Sequence, residues 1–102
     1  MEKKFDVLSS ITTTRYGYTD GEIAVEGNYQ VDAQSGQFQR VEGNCNEPSE
    51  EEGKKGAYIG NFTGVMENGT IIYTFSPKIS MENLKKMQAA IEEIEKEIFS
   101  ND

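Results

Sequence analysis

The dipeptide Asn68-Gly69 constrains this 102-residue chain most, because it lies between two segments in which apolar and polar residues alternate. Asn and Gly readily adopt the positive φ angles of a two-residue type I′ turn, so the pattern predicts a β-hairpin. The turn sets the strand register and places Gly64 opposite Tyr73, where the missing side chain leaves room for the ring. Six residues are then expected on one apolar face: Tyr58, Phe62, Met66, Ile71, Tyr73 and Phe75.

Two further turn signals divide the first part of the chain into strands. Asp20-Gly21 is also typical of a type I′ turn and predicts that Tyr18 lies opposite Ile23. This register would turn the apolar residues at the start of the chain outward, so we expect a bulge or bend within residues 11–17. Residues 32–36 end in glycine and predict a slightly longer hairpin loop.

Residues 80–99 have the spacing of an amphipathic helix, with apolar side chains every three or four positions and charged residues between them. Ser80 precedes the stretch and is a typical N-cap, whose hydroxyl accepts a hydrogen bond from the first turn. The apolar stripe covers only about two heptads, which favours packing on the sheet of its own chain over a coiled coil with a second chain. The stripe consists of Leu84, Met87, Ile91, Ile94 and Ile98.

Together these elements predict one α+β domain over residues 1–102. We expect an antiparallel five-stranded, meander-like sheet with one C-terminal amphipathic helix packed on one face. Residues 43–56 lack apolar periodicity and carry a run of glutamates, so this segment is predicted to be an acidic flexible loop. Cys45 has no cationic neighbour in sequence to lower its pKa, and is interpreted as an inert thiol or one that oxidises between molecules.

The composition excludes several kinds of chemistry. The chain has no histidine, which rules out Ser-His-Asp and Cys-His catalysis and every His-ligated metal. Neighbouring glutamates within residues 47–52 point in different directions and do not present the roughly 6–8 ordered oxygens of a calcium site. No glycine-rich phosphate-binding motif is present either. We therefore predict no catalytic residues, no metal and no cofactor, and a protein that is not an enzyme.

The charge balance indicates which partners to expect. Ten Lys and Arg against eighteen Asp and Glu give a net charge of −8, which disfavours nucleic acid and anionic membranes and permits a basic protein partner. No apolar run approaches the roughly 18 residues of a membrane span. The first residues lack the apolar region of a secretion signal, and one cysteine forms no internal disulfide, so the predicted compartment is the cytoplasm.

The leading functional hypothesis is a small interaction protein that binds another protein, or a second copy of itself, through a face of the sheet. The side of the last hairpin that faces away from Phe62 is not fully polar. Exposed apolar patches of this kind often mark contacts between proteins. The residues expected to form the interface are Ile59, Thr63, Val65 and Ile72.

Two other hypotheses remain open. One is a small-ligand carrier with an apolar cleft between the sheet and the helix. The other is an acidic antagonist that mimics the charge of a nucleic acid and blocks a basic groove. The cleft of the carrier would be lined by Tyr16, Tyr29, Phe62 and Tyr73.

Overall fold

The computed structural model describes residues 10–51 and 53–100. In this part of the chain five antiparallel strands form one sheet in sequence order, and one helix follows them, which confirms the predicted α+β meander. The N-terminal segment considered for a secretion signal, and Glu52 of the glutamate run, lie outside the described residues. The elements are β1 Ile11–Thr19, β2 Ala24–Asp32, β3 Phe38–Asn46, β4 Tyr58–Glu67, β5 Thr70–Phe75 and α1 Met81–Phe99.

The hairpin of β4 and β5 forms as predicted. Asn68 and Gly69 both have positive φ, at 51° and 81°, and Gly64 lies opposite Tyr73. A Cβ atom on Gly64 would lie only 2.5 Å from the ring of Tyr73, so the ring occupies the space that the glycine leaves. Five of the six residues predicted for the apolar face belong to the core or pack against it: Phe62, Met66, Ile71, Tyr73 and Phe75.

A β-bulge at the start of β4 changes the alternation there. Cys45 pairs with Gly60 and Asn46 with Tyr58, so Ile59 is the extra residue. Ile59 packs against the core, whereas Tyr58 is 60% exposed and its hydroxyl accepts a hydrogen bond from the side chain of Asn61. A bulge shifts which side chains point to which face. It therefore exchanges the predicted positions of these two residues and removes Ile59 from the expected interface.

The loop between β1 and β2 differs from the predicted type I′ turn. Tyr18 pairs with Val25 rather than with Ile23, because residues 20–23 form a four-residue loop. The carboxylate of Asp20 accepts hydrogen bonds from the backbone N–H groups of Glu22 and Ile23, at 2.7 and 2.9 Å, and this Asx-type geometry stabilises the longer loop. The shift amounts to two residues, so every side chain keeps its predicted face.

The bend predicted within residues 11–17 is absent, because β1 pairs with β2 in an unbroken register. Ile11 consequently stays on the face opposite to Tyr16 and is exposed. The irregularity lies instead in the pairing of β2 with β3, after Gln30. The longer loop at residues 32–36 is confirmed, with Gly36 at φ +76°.

Strand β3 extends further than predicted. Residues 43–46 pair with β2 and β4, so the acidic segment begins at position 47 rather than 43. Cys45 continues the alternation of Val41 and is fully buried, and its burial raises the pKa of the thiol to about 11. The inert interpretation of this thiol fits its position, whereas oxidation between molecules would need an accessible sulfur.

Helix α1 covers one face of the sheet, as predicted. Its N-terminus is capped by Ser80, whose hydroxyl accepts a hydrogen bond from the backbone N–H of Asn83 at 3.1 Å. Ala90, which is buried, joins the apolar stripe that the sequence indicated. We call the sheet face under α1 the inner face and the opposite one the outer face. The buried core consists of Ile23, Val25, Phe38, Val41, Cys45, Phe62, Met87, Ala90, Ile91 and Ile94.

Candidate functional site

A cavity of about 310 Å³ lies between β1 and the C-terminal half of α1. We call it the β1–α1 cavity. Aromatic side chains from the first two strands form one side and two isoleucines of the helix form the other. The side chains that line it from the inner face and the helix are Thr14, Tyr16, Tyr18, Tyr29, Ile94 and Ile98.

Local structure explains why these side chains meet. Successive residues of a strand point to opposite faces, so alternate positions of β1, Thr14 and Tyr16, both face the helix. Tyr29 lies directly opposite Thr14 on β2, and its ring centroid is 6.2 Å from that of Tyr16. Ile94 and Ile98 are one helical turn apart and therefore lie above one another on the helix surface.

Tyr16 forms a fixed wall of the cavity. Its ring crosses β2 at Gly27, and its hydroxyl donates a hydrogen bond of 2.8 Å to the backbone carbonyl of Glu42 on β3. A Cβ atom on Gly27 would lie 1.9 Å from that same carbonyl oxygen, so the arrangement requires a glycine. Burial raises the pKa of Tyr16 far above its usual value, so the phenol stays protonated at neutral pH.

Tyr18 is held by the loop that follows its strand. Its hydroxyl donates to the carboxylate of Asp20 at 2.8 Å, and this hydrogen bond raises the pKa of Tyr18 to about 12. Desolvation acts to raise the pKa of Asp20, but hydrogen bonds from two backbone N–H groups and from Tyr18 outweigh it and lower that pKa. Asp20 therefore remains a carboxylate that fixes both the loop and the tyrosine.

The polar groups left available in the cavity are few. The hydroxyl groups of Thr14 and Tyr29 form no hydrogen bond to other described residues, and Glu97 borders the cavity from the helix. Arg15 also borders it, but its guanidinium lies 3.6 Å from the carboxylate of Glu26, a residue of the outer face. The cavity thus combines ring and aliphatic surface with two hydroxyls and one carboxylate.

The four residues predicted to line one cleft separate into two pairs. Tyr16 and Tyr29 line the β1–α1 cavity, but Phe62 is fully buried and Tyr73 donates a hydrogen bond to Glu95 of the helix. The helix covers Phe62 in the middle of the sheet and leaves a cavity along β1. Thr14 and Tyr18 also line the cavity but were not predicted to line a cleft, although both alternate with Tyr16 on one strand.

The outer face carries the remaining residues predicted for an interface. Val65 and Ile72 lie directly opposite each other on β4 and β5, and Ile72 is 48% exposed. Thr63 lies beside them, but Arg40 of β3 is the other neighbour of Val65. The apolar part of this surface is therefore one cross-strand pair near the edge of the sheet.

Other features of the described residues offer less to a ligand. A wider depression of about 420 Å³ is lined by four charged side chains and one alanine: Glu22, Glu82, Lys85, Lys86 and Ala89. In residues 10–51 and 53–100 no group of three or more potential ligands is placed to hold a metal ion. The helix found in that part of the chain is not apolar enough for a membrane span.

No protein family model, curated protein or solved structure matches this chain. The β1–α1 cavity and the outer face are therefore the features of the described residues from which a function can be inferred.

Proposed function

We propose that the protein is a non-enzymatic binding protein that holds a small, partly apolar ligand in the β1–α1 cavity. The cavity itself is the observation that carries this proposal: about 310 Å³ of space between aromatic rings and aliphatic side chains. Ligand sites in proteins usually measure about 300–1,000 Å³ and combine apolar walls with a few polar groups. Three tyrosines and two isoleucines supply such walls.

The chemistry of the lining supports binding rather than catalysis. The hydroxyls of Tyr16 and Tyr18 are engaged in hydrogen bonds, and their pKa values are raised, so neither provides a base near neutral pH. Cys45 is buried on β3 and its thiol, too, has a raised pKa. Activated nucleophiles normally have a lowered pKa or a neighbouring base.

A cavity-filling variant tests the proposal. Thr14 and Thr13 are neighbours on β1 and both exposed, but Thr14 lines the cavity whereas Thr13 points to the outer face. Thr14→Trp should fill the cavity, and Thr13→Trp is the matched control. The probe is naphthylmethanol, which has an apolar body and one hydroxyl, and binding is measured by calorimetry and by NMR titration of backbone amides.

We expect the wild type and Thr13→Trp to bind the probe, with amide shifts concentrated around Tyr29 and Ile98. Thr14→Trp should weaken binding at least about tenfold, equivalent to roughly 1.4 kcal/mol. Equal binding by the two tryptophan variants, or no binding by the wild type at millimolar probe, would contradict the proposal.

Self-association through the outer face is a second candidate, favoured by the exposed pair of Val65 and Ile72. Light scattering after size exclusion at high micromolar concentration measures it. If this face forms a dimer, the wild type elutes with the mass of two chains and Ile72→Lys with the mass of one. A monomeric wild type would leave this candidate without support.

The distribution of charge and the single cysteine bear on the antagonist hypothesis, on the partners and on the compartment. The described carboxylates lie on the helix, on the outer face and in the loops, for example at Glu93, Glu42 and Glu51, which does not favour an antagonist with one acidic surface. The strong net negative charge supports the view that nucleic acid and anionic membranes are not partners. The cytoplasm is the proposed compartment, supported by a single buried cysteine.

A further inference from the structure

We infer that the β1–α1 cavity selects organic cations, namely small amines with an apolar or aromatic body. This inference rests on the proposed ligand binding in the same cavity and adds the chemical class of the ligand. It follows from three features of the lining: the unpaired carboxylate of Glu97, the orientation of the aromatic rings and the hydrogen-bonding capacity of the hydroxyl and carboxylate groups.

An unpaired carboxylate borders the cavity. Glu97 borders it and forms no ion pair with another described residue. Arg15 borders the cavity as well, but its guanidinium lies 3.6 Å from the carboxylate of Glu26 on the outer face, which Lys55 also approaches to 3.7 Å. Glu97 and the net charge of −8 would repel an anionic ligand and attract an ammonium group.

The aromatic walls suit a cation as well. The rings of Tyr16 and Tyr29 are inclined at 44°, with centroids 6.2 Å apart, and Tyr18 lies on the same strand as Tyr16. A cation within about 6 Å of a tyrosine ring face is attracted by the ring quadrupole. The apolar body of the ligand can lie against Ile94 and Ile98 at the helix side of the cavity.

The hydroxyl and carboxylate groups at the cavity accept hydrogen bonds. An ammonium group is a donor only, and the oxygens of Thr14, Tyr29 and Glu97 are acceptors at the cavity. A ligand carboxylate is an acceptor only, so it could use the two hydroxyl donors but would face the unpaired carboxylate of Glu97. The lining is thus complementary to an amine at all three acceptors.

Three probes with one ring system test the selectivity: naphthylmethylamine, naphthylmethanol and naphthoic acid, all substituted at the same ring position. At neutral pH they present a cation, a neutral hydroxyl and an anion on equal bodies. Calorimetry at low salt should rank the amine about fivefold tighter than the alcohol, as expected for one partly exposed charge pair, with naphthoate weakest. High salt should reduce this difference.

Glu97→Gln is the decisive variant and Glu92→Gln the matched control, because both glutamates are exposed on α1 but only Glu97 borders the cavity. Glu97→Gln should remove most of the preference for the amine while leaving affinity for the alcohol unchanged, which also shows that the fold is intact. Glu92→Gln should keep the preference.

The outcomes separate the two proposals. If the alcohol binds in the cavity but the amine binds no tighter, or if Glu97→Gln retains the full preference, selectivity for cations is wrong and ligand binding stands. If no probe binds, or if the Thr14→Trp variant binds all three probes as well as the wild type does, the proposal of ligand binding in the cavity is wrong. The proposal of selectivity for cations is then wrong as well.

Discussion

The hydroxyl of Tyr16 reaches the third strand by crossing the second strand at Gly27. This contact links β1 to β3 and satisfies the backbone carbonyl of Glu42, which lies so close to Gly27 that a Cβ there would clash with it. A second glycine, Gly43, allows a similar close approach, since a Cβ there would lie 2.6 Å from the ring of Phe62. Gly27 thus allows the close approach of a backbone carbonyl, and Gly43 allows that of a ring, in the centre of the sheet.

We predict that Tyr16→Phe lowers the free energy of unfolding by about 1–2 kcal/mol, because the partly buried carbonyl of Glu42 loses the hydrogen bond from the hydroxyl. Tyr18→Phe is the control: it removes an exposed hydrogen bond to Asp20 and should cost less than about 0.5 kcal/mol. Urea unfolding measures both variants. Equal losses would mean that the hydroxyl of Tyr16 does not stabilise the strand crossing.

Helix α1 completes the hydrophobic core on the inner face of the sheet. Its buried side chains Met87, Ala90, Ile91 and Ile94 complete a core to which β2, β3 and β4 contribute. One face of a five-stranded sheet would otherwise expose its apolar residues to water. The C-terminal half of the helix borders the cavity through Ile94 and Ile98.

We predict that Met87→Ala lowers the free energy of unfolding by about 2–5 kcal/mol, because the Met87 side chain is fully buried and its removal leaves a void under the helix. Met81→Ala is the matched control within the same helix: Met81 is 70% exposed, and its loss should change stability by less than about 0.5 kcal/mol. Thermal and urea unfolding measure both. Similar effects for the two methionines would contradict packing of α1 on the sheet.

The whole molecule buries several groups in their protonated forms. Cys45 lies in the core, where burial raises the pKa of its thiol to about 11, and burial also raises the pKa values of Tyr16 and Tyr73. Each group holds its proton more tightly when the chain is folded than when it is unfolded. Their protonation therefore links the stability of the entire fold to alkaline pH.

We predict that stability is unaffected by Cys45 below its unfolded pKa of about 8.5–9 and declines as the pH rises from there towards 11. Stability declines because the thiol of the unfolded chain loses its proton at a lower pH than the buried thiol, and this ionisation favours the unfolded state. Thermal midpoints measured from neutral to alkaline pH test this. Cys45→Ala should have a lower midpoint at neutral pH but a weaker decline; an unchanged decline would contradict the assignment to Cys45.

Much of the architecture follows from local sequence patterns. Asn68-Gly69 predicted the register of the last hairpin, and Ser80 together with the apolar spacing predicted the helix, because turns and caps depend on residues close in sequence. Asp20-Gly21 predicted the wrong register, because the carboxylate of Asp20 stabilises a wider loop. Hydrogen bonds of that kind depend on the conformation of the loop itself.

Turn residues, alternation and helical spacing predicted the five antiparallel strands and the helix, since these patterns record which face of each element is apolar. They did not reveal that Ile59 turns inward at a bulge of β4. Nor did they reveal that Tyr16 and Tyr29 border a cavity while Phe62 is buried in the core. The bulge depends on how β4 pairs with β3, and the cavity depends on where α1 lies across the sheet. Packing between elements distant in sequence sets that position, and no local pattern encodes it.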